Sequence, residues 1–230
     1  MYIVYAEGTN YDKRPDGSNA WVLRFPHIST ECNDKNKDLA YVQAIIDHLD
    51  QEENADITNM GAFGHSNGGF FTLSLAQLWP KTFKAFASHG SYTSYAPSPS
   101  LIDCSNSYKN AIDKSMATFH NAQIIPNPAP TLFIFGTEDE TLHSNIPSVY
   151  KEDCAKFSYF QNSVLQLCIK NKSEMPNCAN SNFMTTFTRQ IFPAKQGGAE
   201  TQVQVYKGDH SWKPKVTDWM ASYFADLLYP

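Results

Sequence analysis

A serine flanked by glycines follows an apolar stretch in the segment GAFGHSNGGFF, residues 61–71. Gly64, Ser66 and Gly68 form the pattern Gly-x-Ser-x-Gly, and Gly69 adds further room. A serine hydroxyl becomes a strong nucleophile when a base takes its proton, and a sharp turn between a strand and a helix makes the hydroxyl protrude. Such a turn brings the backbone close to side chains, so small residues are needed on both sides. The pattern in this context favours Ser66 as a nucleophile over a helix-capping serine.

A nucleophilic serine of this kind needs a histidine base and an acid that orients the histidine. On a parallel sheet the partners follow in the order serine, acid, histidine, each just beyond the carboxyl end of a strand. The run TLFIFG is followed by Glu138, Asp139 and Glu140, and the run TQVQVYKG is followed by Asp209 and His210. We expect His210 to be the base and Asp139 the acid. The two neighbouring glutamates would then be solvated loop charges, and Asp209 would have a role in the turn.

Two further histidines fall near this expected site. His65 precedes Ser66 too closely to act as its base, so we expect it to pack beside the nucleophile or to line the substrate pocket. His89 ends a strand, where it either contacts substrate or has a structural role. No pair among the seven histidines has the spacing of a metal site, and no Cys-x-x-Cys motif occurs. We therefore expect neither a metal ion nor a cofactor.

The elements that carry these residues follow from the spacing of apolar residues. Short apolar runs alternate with helical patterns, which predicts βαβ units and a mostly parallel sheet. The predicted strands are Tyr2–Tyr5, Ile57–Phe63 and residues 83–90, 131–136 and 201–208. The predicted helices are residues 38–49, the run from Ser66 to Pro80, residues 216–228 and a helix around residues 108–119. The segment from residue 142 to 196 predicts loops with one helix at most.

Length, composition and charge limit the class of protein. A chain of 230 residues with 42% hydrophobic and 18% charged residues is expected to form a single domain over residues 1–230, and we expect a monomer. The net charge of −5 comes without long blocks of charge, which argues against a nucleic-acid partner. No apolar run reaches the roughly 18–20 residues that a membrane span needs.

The chain has five cysteines, at positions 32, 104, 154, 168 and 178, which give information about the redox environment of the protein. The last three lie in a loop-rich segment, which favours disulfides and an oxidising environment, with Cys168–Cys178 as a suggested pair. Five buried free thiols in a cytosolic protein are the alternative. The opening residues MYIVYAEGTN lack the basic region and the cleavage site of a signal peptide.

The segments DLAYVQAIIDHL, ITNMGAFGHSNGGF, FKAFASHGS, PTLFIFGTEDE and YKGDHSW together resemble the polyhydroxybutyrate-depolymerase-like esterases of the α/β-hydrolase superfamily. This group includes secreted feruloyl and acetylxylan esterases. The resemblance implies an α/β-hydrolase fold and an extracellular hydrolase of small or polymeric esters with the triad Ser66, Asp139 and His210. It also implies an oxyanion-binding N–H at Asn67, and an aromatic residue near the substrate at Trp212, which could instead belong to the core. A serine peptidase of the same superfamily is the alternative enzyme.

The sequence departs from these esterases at its start. In such esterases a strand and a loop precede the strand that looks like YIVYAEGT, and that loop supplies the second oxyanion N–H. The resemblance therefore implies that the early strands and one donor are missing, and losing one donor typically costs about 10²–10³ in rate. Three accounts are open: a truncated form of a longer product, a complete protein with another donor, or an inactive hydrolase-like binding protein.

Overall fold

The computed structural model describes residues 3–8, 21, 37–91, 128–143, 168, 171–174 and 189–229. The helices in these ranges are α1 (Lys37–Gln51), α2 (Asn67–Leu78), α3 (Glu140–His143) and α4 (Pro214–Leu228). The strands are β1 (Gly61–His65), β2 (Ala85–His89), β3 (Thr131–Gly136), β4 (Gln190–Phe192) and β5 (Thr201–Tyr206).

These strands form one sheet in the order β1-β2-β3-β5-β4. β1, β2, β3 and β5 run parallel, and β4 pairs antiparallel with β5. Every residue of β2, β3 and β5 is buried, as expected for central strands of a parallel sheet covered on both faces. The predicted mostly parallel sheet flanked by helices is confirmed, and Thr131–Gly136 lies at its centre with the predicted bounds.

The two faces of the sheet carry separate apolar cores, because successive residues of a strand point to opposite faces. On one face Phe86 and Phe133 join a cluster that includes Leu39 and Val42 of α1 and several residues of α2. On the other face, the small alanines of β2 and the alternate residues of β3 pack against α4, through Ala85, Ala87, Leu132, Ile134, Val216, Met220 and Tyr223. The predicted apolar face of the helix over residues 38–49 is therefore confirmed.

The predicted strand at Tyr2–Tyr5 is wrong for the residues that the structure describes. Residues 3–8 have no regular structure, and Tyr5 is 83% exposed. Ile3 and Val4 are also exposed. Apolar and β-branched residues favour a strand only where neighbouring strands pair with the backbone and cover the side chains.

The strand before Ser66 begins later than predicted. Asp56 accepts hydrogen bonds from the Thr58 N–H at 3.0 Å and from the Thr58 hydroxyl at 2.6 Å. This local turn occupies the residues just after Asp56, so the strand starts at Gly61 and not at Ile57. The short strand β4 was not predicted, because three partly exposed residues give almost no pattern.

The suggested Cys168–Cys178 disulfide is also wrong, because Cys168 is a free thiol with 0% exposure. Burial raises the pKa of this thiol to about 12, so Cys168 is an unreactive side chain of the core. The other cysteines, the predicted helix around residues 108–119 and Tyr2 lie outside the described residues. In the described part of the chain, no helix is both long and apolar enough to cross a membrane.

Candidate active site

Ser66 is the single residue between the end of β1 and the start of α2. Its backbone has φ 52° and ψ −119°, a conformation that non-glycine residues seldom adopt. Two hydrogen bonds hold it there: the Ser66 N–H donates to the His89 carbonyl at 2.9 Å, and the Phe70 N–H donates to the Ser66 carbonyl at 3.0 Å. A held backbone in a rare conformation directs the hydroxyl out of the turn, as a nucleophile requires.

The loops after β3 and β5 carry the predicted acid and base, and backbone hydrogen bonds join them. The Thr137 N–H donates to the Tyr206 carbonyl, and the Glu138 N–H donates to the Gly208 carbonyl, each at 2.9 Å. β3 and β5 are adjacent and parallel, so their carboxyl ends lie side by side. The sheet therefore brings Asp139 and His210 together although they are distant in sequence.

The three predicted residues form one hydrogen-bonded line. His210 Nε2 lies 2.8 Å from Ser66 Oγ, and His210 Nδ1 lies 2.6 Å from Asp139 Oδ2. Because a carboxylate only accepts, His210 carries its proton on Nδ1 and leaves a lone pair on Nε2 for the serine proton. Asp139 is fully buried, whereas the side chain of His210 is 18% exposed. This arrangement can activate a hydroxyl and stabilise the imidazolium that forms.

The carboxylates of Glu138 and Asp209 have partners other than His210. Glu138 is exposed and 3.8 Å from Lys207. Asp209 lies 3.0 Å from Lys213 and accepts from the Ser211 N–H at 3.0 Å. Lys213 foremost, and then the Ser211 N–H, lower the pKa of Asp209 to about 2. Asp209 thus has the predicted turn role, and Asp139 is the acid that contacts His210.

Asn67 begins α2, where the first backbone N–H groups have no partner within the helix and can bind an anion. Its side chain does something that sequence reasoning missed. Asn67 Oδ1 accepts from the Trp21 N–H at 2.7 Å, and Asn67 Nδ2 donates to the Trp21 carbonyl at 3.3 Å. The Trp21 indole stacks on Phe71 with ring centroids 4.4 Å apart. The Asn67 side chain therefore fixes Trp21 beside the elbow, the turn at Ser66 between β1 and α2. The asparagine in GHSNGG was the one signal in the sequence that pointed to this contact.

Three aromatic side chains form a cluster beside His210, and one of them contacts its ring. His65 stacks at an angle on His210, with ring centroids 5.0 Å apart. Trp212 is partly buried, and it presents an edge to His65 at 5.7 Å and to His89 at 5.4 Å. Its indole N–H donates to Thr217. His89 is fully buried and bonded to His65 and Tyr206, which makes it a structural residue that substrate cannot reach.

Stability should fall when the pH is lowered, because His89 is buried in its neutral form. Burial foremost, and then the neighbouring His65 and His210, lower the pKa of His89 from 6.5 to about 3. The unfolded chain takes up this proton near pH 6.5 and the folded chain only near pH 3, so in this window lower pH favours unfolding. We expect the free energy of unfolding to drop by about 1.4 kcal/mol between pH 7.5 and 5.5 from this group alone.

Urea unfolding at the two pH values measures this drop. His48→Gln changes an exposed histidine and should leave the difference unchanged, whereas His89→Gln should reduce it. A free energy of unfolding that is equal at both pH values in the unmodified chain would contradict the prediction.

No group of His, Cys, Asp or Glu side chains within the described ranges is arranged to hold a metal ion. The hydrogen-bonded line of Ser66, His210 and Asp139 offers a hydroxyl, an imidazole that can accept its proton and a buried carboxylate.

The fold and the line of three residues define an α/β hydrolase. Residues 27–150, a stretch that includes Ser66 and Asp139, match the prolyl oligopeptidase family (Peptidase_S9). This match covers more than half of the chain, and the chain belongs to the prolyl oligopeptidase family.

Solved structures with a similar fold include a carboxylesterase from Bacillus cereus, with 13% identity and a TM-score of 0.47 over 96% of this chain and 73% of that one. A variant of SOBER1 from Arabidopsis thaliana has 17% identity and a TM-score of 0.46, covering 92% and 76%. YahD with malic acid has 11% identity and a TM-score of 0.48, covering 96% and 78%. No curated protein matches the sequence.

Proposed function

We propose that the chain is a serine hydrolase that cleaves carboxylic esters through an acyl-enzyme on Ser66. The observation that carries the proposal is the hydrogen-bonded line from Ser66 Oγ to His210 and on to the buried Asp139 carboxylate. A surface serine without a catalytic role would not be expected to contact an imidazole that a buried carboxylate orients. Membership of the prolyl oligopeptidase family supports the hydrolase class.

The proposed reaction has two steps. His210 Nε2 takes the proton of Ser66 as the serine oxygen attacks the ester carbonyl, and the Asn67 N–H stabilises the resulting oxyanion. Collapse of this intermediate breaks the bond to the alcohol, which leaves with the proton from Nε2. A water molecule then gives a proton to Nε2, attacks the acyl group and releases the acid, and the proton returns to Ser66. Asp139 keeps Nδ1 protonated and stabilises the imidazolium in both steps.

The finer substrate class rests on the resemblance to polyhydroxybutyrate-depolymerase-like, feruloyl and acetylxylan esterases. Within the proposal, His65 and Trp212 line one side of the site, and the substrate is a small or polymeric ester. A secreted or periplasmic location, a monomeric state and a single domain over residues 1–230 belong to the same prediction. A serine peptidase is the second candidate, favoured by the match of residues 27–150 to the prolyl oligopeptidase family.

Covalent labelling with a fluorophosphonate probe tests the proposal, since such probes react with an activated serine. We expect one labelled peptide that contains Ser66, and no labelling of Ser66→Ala. A folded chain that stays unlabelled would contradict the proposal and support a hydrolase-like binding protein. Circular dichroism and a sharp unfolding transition establish that the tested chain is folded.

Substrates that share one acyl group as ester and as anilide separate the two enzyme classes. The proposal predicts hydrolysis of the ester well above that of the anilide, and the result should depend on Ser66. Comparable cleavage of the anilide would make the peptidase the correct class. Hydroxybutyrate oligomers, feruloyl esters and acetyl esters then rank the three ester classes.

A further inference from the structure

A second chain of hydrogen bonds lies beside the triad and shares no residue with it. The Tyr206 hydroxyl lies 2.9 Å from His89 Nε2, and His89 Nδ1 lies 2.8 Å from His65 Nδ1. His89 is 0% exposed and Tyr206 is 2% exposed. Hydrogen bonds in an unbroken line restrict the rotation of these side chains, of which His65 is partly buried.

Backbone carbonyls set the direction of this chain. The Tyr206 hydroxyl contacts the carbonyl oxygens of Asp209 at 3.1 Å and Ser211 at 3.4 Å. A carbonyl can only accept, so the single hydroxyl proton goes to this pair. Tyr206 oxygen then accepts the Nε2 proton of His89. His89 Nδ1 is left without a proton and accepts from His65 Nδ1, which leaves both imidazoles neutral with defined tautomers.

Both ends of this chain reach His210. At one end, the carbonyls that Tyr206 contacts belong to the residues immediately before and after His210. At the other end, the His65 ring lies 5.0 Å from the His210 ring, tilted by 43°. The backbone of Gly90 closes the remaining space, because a Cβ atom there would lie 3.0 Å from His210 Cε1 and 3.4 Å from His65 Cε1.

The neutral state of the two histidines fits this location. Burial foremost, then the neighbouring His210, lowers the pKa of His65, and the pKa of His89 is lowered by the same two causes and by His65. The groups that face the pair are His210, the Tyr206 hydroxyl and the Asp139 carboxylate. A hydrogen bond with the His89 backbone and the Asp139 carboxylate favour a cation on His65, but burial and His210 outweigh them. A neutral pair adds no positive charge against the imidazolium that forms on His210 during catalysis.

We propose that Tyr206, His89 and His65 form a positioning chain that holds the backbone and the ring of His210 in line with Ser66 and Asp139. The proposal rests on the proposed function, in which His210 is the base. None of the three exchanges a proton with substrate, so they are positioning residues. Their effect is on the geometry of proton transfer, where a misplacement of about 1 Å can cost roughly 100-fold in rate.

The variant Tyr206→Phe tests this inference, because it removes only the hydroxyl that contacts the two carbonyls. We expect fluorophosphonate labelling of Ser66 to become about 10- to 100-fold slower, with kcat reduced and KM nearly unchanged. The matched control is Tyr223→Phe, since the buried Tyr223 hydroxyl has no hydrogen-bond partner among the described residues. Labelling at the wild-type rate in both variants would overturn the inference.

Nitrogen-15 NMR of the histidine rings gives a readout that does not depend on activity. In the unmodified chain we expect His89 protonated on Nε2 and His65 protonated on Nδ1, and we expect Tyr206→Phe to shift the ring signals of His210. The reverse tautomers, or His210 signals unchanged by Tyr206→Phe, would overturn the positioning chain. A lack of Ser66 labelling in the unmodified chain would instead count against the proposed function, and the NMR result would still decide this inference.

Discussion

Replacing Asp139 with Asn is expected to slow acylation of Ser66 by a factor of about 10⁴. The carboxylate accepts the Nδ1 proton of His210 at 2.6 Å, and this fixes the lone pair on Nε2. An amide NH₂ group in the same place donates, so it favours the opposite tautomer with a proton on Nε2. A protonated Nε2 cannot take the proton of Ser66, which lies 2.8 Å away.

Hydrolysis of an activated ester, followed together with fluorophosphonate labelling, measures this effect. Glu138→Gln is the matched control, since Glu138 immediately precedes Asp139 but is exposed and faces Lys207 at 3.8 Å. We expect this control to remain within about twofold of wild type, as is usual for an exposed ion pair. An equal loss in both variants, or a fully active Asp139→Asn, would mean that another group orients His210.

Gly64→Ala is expected to destabilise the chain by about 3 kcal/mol or more and to remove labelling of Ser66. A Cβ atom at Gly64 would overlap the backbone carbonyl of Gly68 and lie 2.7 Å from Thr72 Oγ1. The obstacle is backbone in the first turn of α2, so relief requires the elbow itself to open. Opening the elbow would displace Ser66, whose φ of 52° depends on the His89 and Phe70 hydrogen bonds.

Gly68→Ala provides the comparison within the same motif. Among the residues that the structure describes, a Cβ atom at Gly68 would meet only the Trp21 indole, at 3.6 Å, which is an ordinary van der Waals distance. We expect Ser66 to be labelled in this variant as in wild type. Its free energy of unfolding should lie within about 1 kcal/mol of wild type, since alanine is favourable in a helix. Denaturant unfolding and labelling of the two variants side by side measure the contrast. Similar behaviour of the two would show that the elbow does not depend on Gly64.

The parts of the fold that sequence could predict are those in which a local pattern and burial agree. Thr131–Gly136 is apolar throughout and forms a wholly buried strand with the predicted bounds. The Gly-x-Ser-x-Gly pattern and the chain order of Asp139 and His210 led to side chains that the structure places in contact. Both predictions rest on short segments of sequence, and the parallel sheet then determines which strand ends lie side by side.

Other features depend on contacts between distant parts of the chain. Tyr206 is one residue of a strand with an alternating pattern. That pattern does not predict that its hydroxyl contacts His89 and the carbonyls beside His210. The side-chain bonds from Asn67 to Trp21 are equally invisible to local patterns. The opposite error occurred at Ile3 and Val4, where strand-forming residues lie exposed outside any strand.

The three residues of the proposed triad follow three separate strands, β1, β3 and β5, which pair through β2 in one register. A shift of one residue in any pairing would turn the strand's side chains to the opposite face. Under the proposed function, Ser66 reacts only in chains whose sheet has assembled correctly, although every misfolded chain carries the same serine. Covalent labelling of Ser66 can accordingly count native molecules in a mixture, and its recovery after dilution from denaturant would follow refolding at a single atom.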